Sequence, residues 1–291
     1  MAEIMFLERG DQAEGLRRLL GHDRPRCIVL ASACAGVGKT SVAINLAAAI
    51  AAAGLRVLLI DENYGLSDIA SSLGLPRQLP IVYPLKEAAI ASRMLPAAHG
   101  LTVLPLASAM PPAARNQLWK DLKDIQGRFD VVLVDTAHDC EGALPVGYGS
   151  GQEMIVVSTA AAQSITASYA LIKRVCVTEE RFRIHVMLNR VVGEANAQVM
   201  LENLIGVARE NLKLPLLSLG SMPSHKSLRI ARGGYTPAVA AVPASAPAAR
   251  YRDIAEAISA WPHLRARPGL MERLMQRLLT RNPPAFASAG V

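Results

Sequence analysis

The chain has 291 residues, 51% of them hydrophobic and 4% aromatic, and carries a formal net charge of +7 at pH 7. The length fits one large α/β domain or two small ones with a sizeable core, and the positive charge points weakly to an acidic partner such as nucleic acid or anionic lipid. Cys27, Cys34, Cys140 and Cys176 are scattered without metal-ligand spacing and read as reduced thiols of a cytoplasmic protein; no signal peptide, internal repeat or membrane-spanning apolar run is visible.

Residues 1–24 are mostly polar. Within them Ala13, Leu16, Leu19 and Leu20 fall on one face at helical spacing. That pattern fits a short helix packed back on the domain or a disordered tail, and it also fits a segment that folds on a partner. The apolar run 27–30 then reads as a buried parallel strand, and residues 41–50 as an alanine-rich helix. Between them lies Ala33-Cys34-Ala35-Gly36-Val37-Gly38-Lys39-Thr40-Ser41. Strand, small-residue loop, Gly-Lys-Thr and helix form the context of a phosphate-binding loop, although Ala33 stands where the motif has its first glycine. Small residues let backbone N–H groups turn inward around phosphate oxygens, and the helix N-terminus adds its positive end. Lys39 is expected to reach the β- and γ-phosphates and Thr40 to ligate Mg²⁺. Ala35, Gly36, Val37, Gly38 and Ser41 complete the expected cradle.

Gly54 ends the helix, and residues 56–61 read as a second strand closing on Asp61. A carboxylate at that end of a parallel strand lies where ligands bind. A loop and a short helix to residue 74 follow, then a proline-rich stretch over 75–99 with one short helix near 85–94. A strand at 101–104 and a helix at 113–126 come next. The run 129–136, apolar and ending in Asp135, has the Walker B form, so Asp135 is expected to hold Mg²⁺. Further strands are expected at 154–158, 183–190 and 214–220, and helices at 164–175, 194–210, 225–233 and 251–261. Residues 238–248, rich in alanine and proline, read as a loop. The alternation predicts an α/β fold: a mostly parallel twisted sheet flanked by helices on both faces. Near the C-terminus Leu270, Met271, Leu274, Met275, Leu278 and Leu279 share half of a helical wheel, with basic and polar residues opposite. A basic amphipathic helix there fits a membrane-surface anchor, and equally a helix docked on the domain or a dimer contact.

Together these stretches resemble a known family. Residues 34–40 look like the Lys-Gly-Gly-Val-Gly-Lys-Thr loop of the MinD/ParA ATPases, the SIMIBI branch of P-loop NTPases. Asp61 to Leu66 resembles their switch I, Met187 to Val191 their adenine-recognition strand end, and Met222 to Leu228, more loosely, a Pro-x-Asp stretch. The resemblance covers about residues 26–262 and implies ATP or ADP with Mg²⁺. It assigns Asn189, Arg190 and Pro223 to the nucleotide, Thr40, Asp61 and Asp135 to the metal, and Lys39, Asn63 and Asp135 to catalysis. Asp11, Gln12, Ala13, Leu16 and Arg17 resemble the Asp-Gln-Ala-x-x-Leu-Arg element of the flagellar number regulators (FlhG, also called FleN), and residues 164–173 resemble a helix of that branch. That element stimulates an FlhF-type GTPase, so the resemblance favours the partner-binding reading of residues 11–20.

The implied organisation is an activating segment (1–24), a MinD-like nucleotide domain (25–263) and a membrane-targeting helix (264–291). The implied protein is cytoplasmic and peripheral to the inner membrane, dimerises with ATP, and acts with a flagellar transcription regulator and basal-body proteins, with no direct DNA binding. Two departures bear on catalysis. Cys34 stands where the family has the lysine that reaches a partner subunit's phosphates, and Asn63 replaces the aspartate that orients the attacking water. A slow or non-hydrolysing nucleotide-sensing adaptor is therefore an alternative to an ATP-driven switch. A MinD/ParA relative in cell division or DNA partition is a third reading, against which residues 11–20 argue.

Overall fold

The computed structural model describes residues 25–61, 69–76, 90–105, 126–136, 153–177, 183–225, 228 and 234–261. The strands are β1 (Arg26–Ala31), β2 (Val57–Asp61), β3 (Leu95–Pro96), β4 (Leu101–Pro105), β5 (Val131–Asp135), β6 (Glu153–Thr159), β7 (Arg183–Val191) and β8 (Leu217–Pro223). They form one sheet in the order β3-β4-β2-β5-β1-β6-β7-β8. All pairings are parallel except β3 with β4, where Leu95 opposes Val103 and Pro96 opposes Thr102. Strands β1, β2 and β5 are apolar almost throughout because both faces are covered.

The helices are α1 (Lys39–Ala52), α2 (Ile69–Ser72), α3 (Ala162–Val177), α4 (Glu194–Leu212), α5 (Ala238–Ala241) and α6 (Ala246–Ala260). Alternate residues of each strand feed two cores. Ile28, Leu30, Leu59 and Leu133 pack with α1 and with Tyr251, Ile254 and Ile258 of α6. Val29, Ile60, Val134 and Val156 pack on the other face with Leu171, Ile172, Leu201 and Leu204 of α3 and α4. Helix α1 is buried on nearly all sides, which alanine makes sterically feasible at close range to the sheet. Among the described residues no helix is long and apolar enough to cross a membrane.

Two expectations need correction. The stretch 75–99 contains the antiparallel edge strand β3, which is too short to show a period. Residues 238–248 are not a loop: α5 occupies Ala238–Ala241, and α6 starts at Ala246, five residues before the expected start. Ser245 caps α6 by accepting from the Ala248 N–H at 3.3 Å, and Pro247 sits in the first turn, where its missing N–H costs nothing. The proline that looked like a loop marker is a helix start. The helices expected near 85–94, 113–126 and 225–233 lie largely outside the described residues; Ile90–Arg93 and Gln126–Arg128 are short 3-10 turns.

At the foot of the sheet, the amino end of β6 buries Glu153. Its carboxylate accepts from Arg26 (3.4 Å) and Arg183 (3.3 Å), and its other oxygen lies 2.8 Å from His185 Nε2. The Trp261 ring stacks on His185 at 3.8 Å, and the Trp261 carbonyl accepts from Arg26 at 2.7 Å. This cluster joins the starts of β1, β6 and β7 to the end of α6. Burial pushes the Arg26 pKa down, the Glu153 carboxylate opposes that, and Arg183 adds to it.

Candidate nucleotide site at the carboxyl ends of the central strands

Sheet order assembles the site. β5 lies between β1 and β2, and Asp135 is level with Leu30 on one side and Asp61 on the other. The turn after β1 therefore arches over two buried carboxylates contributed by neighbouring strands.

Gly36 (φ 72°) and Gly38 (φ 87°) both take the left-handed conformation that the tight arch requires. Gly38 is the N-cap of α1, and no side chain caps its first turn. The N–H groups of that turn are thus left for an anion. A Cβ on Gly38 would lie 2.5 Å from Asn189 Nδ2, whereas one on Gly36 would meet nothing within 4 Å. Asn189, at the end of β7, donates to the Val37 carbonyl at 2.8 Å and so fixes the arch from the side.

Lys39 is buried beneath the arch. Its ammonium donates to Asp135 Oδ1 and to the Thr136 carbonyl. The Thr40 hydroxyl donates to Asp135 Oδ2 at 2.7 Å. Thr136 in turn donates its hydroxyl to the Leu30 carbonyl at 2.8 Å, tying β5 to β1 at the site. Asp61, also buried, accepts from the Ile69 N–H at 2.7 Å and caps α2.

Arg190 follows Asn189 with a left-handed φ of 59° and an exposed side chain, and its Nε would stand 3.4 Å from a Cβ on Gly38. A non-glycine residue in that region costs roughly 1–3 kcal/mol and marks a constrained position. Pro223, at the end of β8, is level with Val191 of β7, and the Ser224 N–H donates to the Val191 carbonyl at 2.9 Å. Ala35 is exposed at the crown of the arch, and Ser41 donates its hydroxyl to the Leu228 carbonyl at 2.8 Å.

The structure thus gathers Gly36, Val37, Gly38, Lys39, Thr40, Asp135 and Asn189 at one place, with Asp61, Ser41 and Arg190 at its rim. Asn63 lies outside the described residues, as do Asp11, Gln12, Ala13, Leu16, Arg17 and the apolar face from Leu270 to Leu279. Sequence reasoning missed Thr136, whose carbonyl holds Lys39, and Asn45, a fully buried amide on α1. Asn45 had a visible signal: it is a polar residue inside an apolar alanine helix.

The donor set fits Mg²⁺ with a phosphate ester. Thr40 and Asp135 offer hard oxygen donors, and Mg²⁺ usually takes one or two carboxylates and completes its shell with phosphate and water. Among the described residues no group of three or more His, Cys, Asp or Glu could hold a metal ion.

A parallel sheet, a glycine arch feeding a helix N-terminus, and a buried Lys–Asp–Thr triad define a P-loop NTPase of the MinD/ParA type. The model of the CobQ/CobB/MinD/ParA nucleotide binding domain matches residues 28–234, and the chain belongs to that family. It is 30% identical over 265 residues to the antiactivator FleN of Pseudomonas aeruginosa, covering 87% of this chain and 92% of that protein. It is 26% identical over 272 residues to the septum site-determining protein MinD of Synechocystis, covering 87% and 98%. Similar solved structures show the same fold. MinD of Aquifex aeolicus superposes with a TM-score of 0.64 at 20% identity, over 81% of this chain and 98% of that one. MinD of Pyrococcus horikoshii, complexed with Mg-ADP, gives 0.62 at 19% identity, over 81% and 96%.

Proposed function

We propose that this chain is an ATP-binding switch of the FleN kind that regulates flagellar number or placement. The observation that carries the nucleotide reading is the buried triad of Lys39, Asp135 and Thr40 under the Gly36–Gly38 arch. In this reading Gly36, Val37, Gly38 and Ser41 present backbone N–H donors to the phosphates, and Lys39 turns from Asp135 to the β- and γ-phosphates. Thr40 and Asp135 hold Mg²⁺, with Asp61 behind them, and Mg²⁺ supplies charge neutralisation at the phosphates. Asn189 and Arg190 flank the adenine beside Pro223. Asn63 orients water for hydrolysis.

The likeness to FleN supports the finer assignments. Residues 1–24 stimulate an FlhF-type GTPase through Asp11, Gln12, Ala13, Leu16 and Arg17. The domain of residues 25–263 dimerises with ATP. The helix bearing Leu270, Met271, Leu274, Met275, Leu278 and Leu279 then holds the protein on the cytoplasmic face of the membrane, where a transcription regulator and basal-body proteins are its further partners.

Titration calorimetry of Mg-ATP against Lys39→Ala tests the core of this reading. The variant is expected to lose most of the affinity; unchanged affinity overturns the phosphate-loop assignment. A nucleotide-sensing adaptor with little turnover is the second reading. It is favoured by Cys34, a half-buried thiol at the base of the arch in place of a cation, and by Asn63 in place of a carboxylate.

A further inference from the structure

Asn45 sits inward on α1, one turn beyond the phosphate arch, and is fully buried. Its Oδ1 accepts from the Ala238 N–H at 2.8 Å. That backbone group can only donate, so it fixes which end of the amide is oxygen. Nδ2 must then face the other two partners, the Ser41 carbonyl at 2.8 Å and the Tyr235 hydroxyl oxygen at 2.7 Å. Both amide protons are thereby used. Tyr235 receives one of them on its oxygen. The Ser41 hydroxyl, one turn back on α1, donates to the Leu228 carbonyl at 2.8 Å. Asn45 and Ser41 together thus tie α1 to Leu228, Tyr235 and Ala238.

These bonds span two parts of the site. Ser41 adjoins Thr40, which bonds Asp135 at the phosphate end. Leu228, Tyr235 and Ala238 belong to the segment that leaves β8 after Pro223, where the Ser224 N–H is bonded to Val191 beside Asn189 and Arg190. A second stitch supports the same segment, since the Tyr235 N–H donates to the Ser72 carbonyl at 2.8 Å.

We infer that Asn45 and Tyr235 are positioning residues that clamp the segment after β8 onto the phosphate-loop helix, so that the base side of the nucleotide site is held in register with the phosphate side. The inference rests on the nucleotide reading above. It assigns the clamp to the base and not to the cradle, because Val37 and Lys39 are held by Asn189 and Asp135 independently of it.

Base and phosphate contributions separate when Mg-ATP is compared with Mg-tripolyphosphate, which carries the phosphates without adenine or ribose. The full chain is titrated with each ligand by calorimetry. Tyr235→Phe keeps the ring and removes the oxygen that accepts from Asn45. It is expected to weaken Mg-ATP about fivefold, the worth of roughly one net hydrogen bond, and to change Mg-tripolyphosphate less than about twofold. Asn45→Leu is the second variant. It keeps the side-chain size but can neither accept from Ala238 nor donate to Tyr235, and it is expected to give at least the same selective loss. Equal losses for the two ligands, or no loss for either, overturn the inference. A wild-type chain that binds neither ligand refutes the nucleotide reading itself, a different outcome.

Discussion

Replacing Gly38 by alanine tests the geometry of the arch in two separable parts. Gly38 has a φ of 87°, where an L residue costs about 1–2 kcal/mol. The new methyl would also lie 2.5 Å from Asn189 Nδ2, so Asn189 must move. It is buried, and moving it breaks its bond to the Val37 carbonyl. Leaving that amide and carbonyl unpaired costs about 1–3 kcal/mol, for a total of about 2–5 kcal/mol. Gly36→Ala is the built-in control. Its φ is 72° but a Cβ there meets nothing within 4 Å, so only the first cost applies. Both variants gain the same small amount by restricting the unfolded chain, which cancels in the comparison. Urea unfolding of both, with unchanged m values, is expected to show Gly38→Ala less stable than Gly36→Ala by about 1–3 kcal/mol. Equal destabilisation of the two would refute the role given to Asn189.

The Glu153 cluster predicts a stability loss far from the nucleotide site: Glu153→Gln leaves the Arg26 and Arg183 guanidinia without their shared carboxylate and is expected to cost about 3–5 kcal/mol in urea unfolding. A cost under about 1 kcal/mol, as for an exposed ion pair, would show that the cluster is not electrostatically tied. Burial alone pushes the Cys27 thiol from 9.0 up to about 12. The unfolded chain ionises that thiol first, so its contribution to stability is intact below pH 9 and is lost as pH rises from 9 to about 12. Cys27→Ala, corrected for its own cavity cost, is expected to flatten that alkaline decline; an unchanged pH slope would contradict it. For catalysis, phosphate release by the wild type is expected to be slower than by Cys34→Lys combined with Asn63→Asp, because a cation and a carboxylate acting on one transition state are restored together. A wild-type rate equal to that of the double variant would assign the chemistry to other residues.

The centre of the fold was legible in the sequence because the centre is where pattern is strongest. Strands covered on both faces become unbroken apolar runs, and β1, β2 and β5 show this with Asp61 and Asp135 at their carboxyl ends. Glycine and lysine at the arch were legible for steric and electrostatic reasons that do not depend on the rest of the chain. The edges were not. β3 has two residues and owes its place to pairing with β4, a tertiary fact with no local period. In residues 238–248 alanine and proline carried opposite meanings, and the deciding feature was the position of Pro247 immediately inside a serine cap. Thr136 was beyond reach for another reason: it acts on Lys39 through a backbone carbonyl, which any residue type would supply.

The triad also explains how a lysine can lie buried at the start of α1. Lys39 and Asp135 are both buried, and either one alone would carry a desolvation penalty of several kcal/mol. Together they neutralise each other, and the Thr136 carbonyl and the Thr40 hydroxyl take up remaining hydrogen-bonding capacity on each side. The same arrangement sets a condition on ligand binding under the proposed reading. Drawing Lys39 toward a phosphate without a cation for Asp135 would strand a fully buried carboxylate. Placing a cation on Asp135 without a phosphate for Lys39 would set two positive charges side by side. Only the exchange of both partners at once keeps every buried charge paired, so under that reading nucleotide and metal bind as a single ligand.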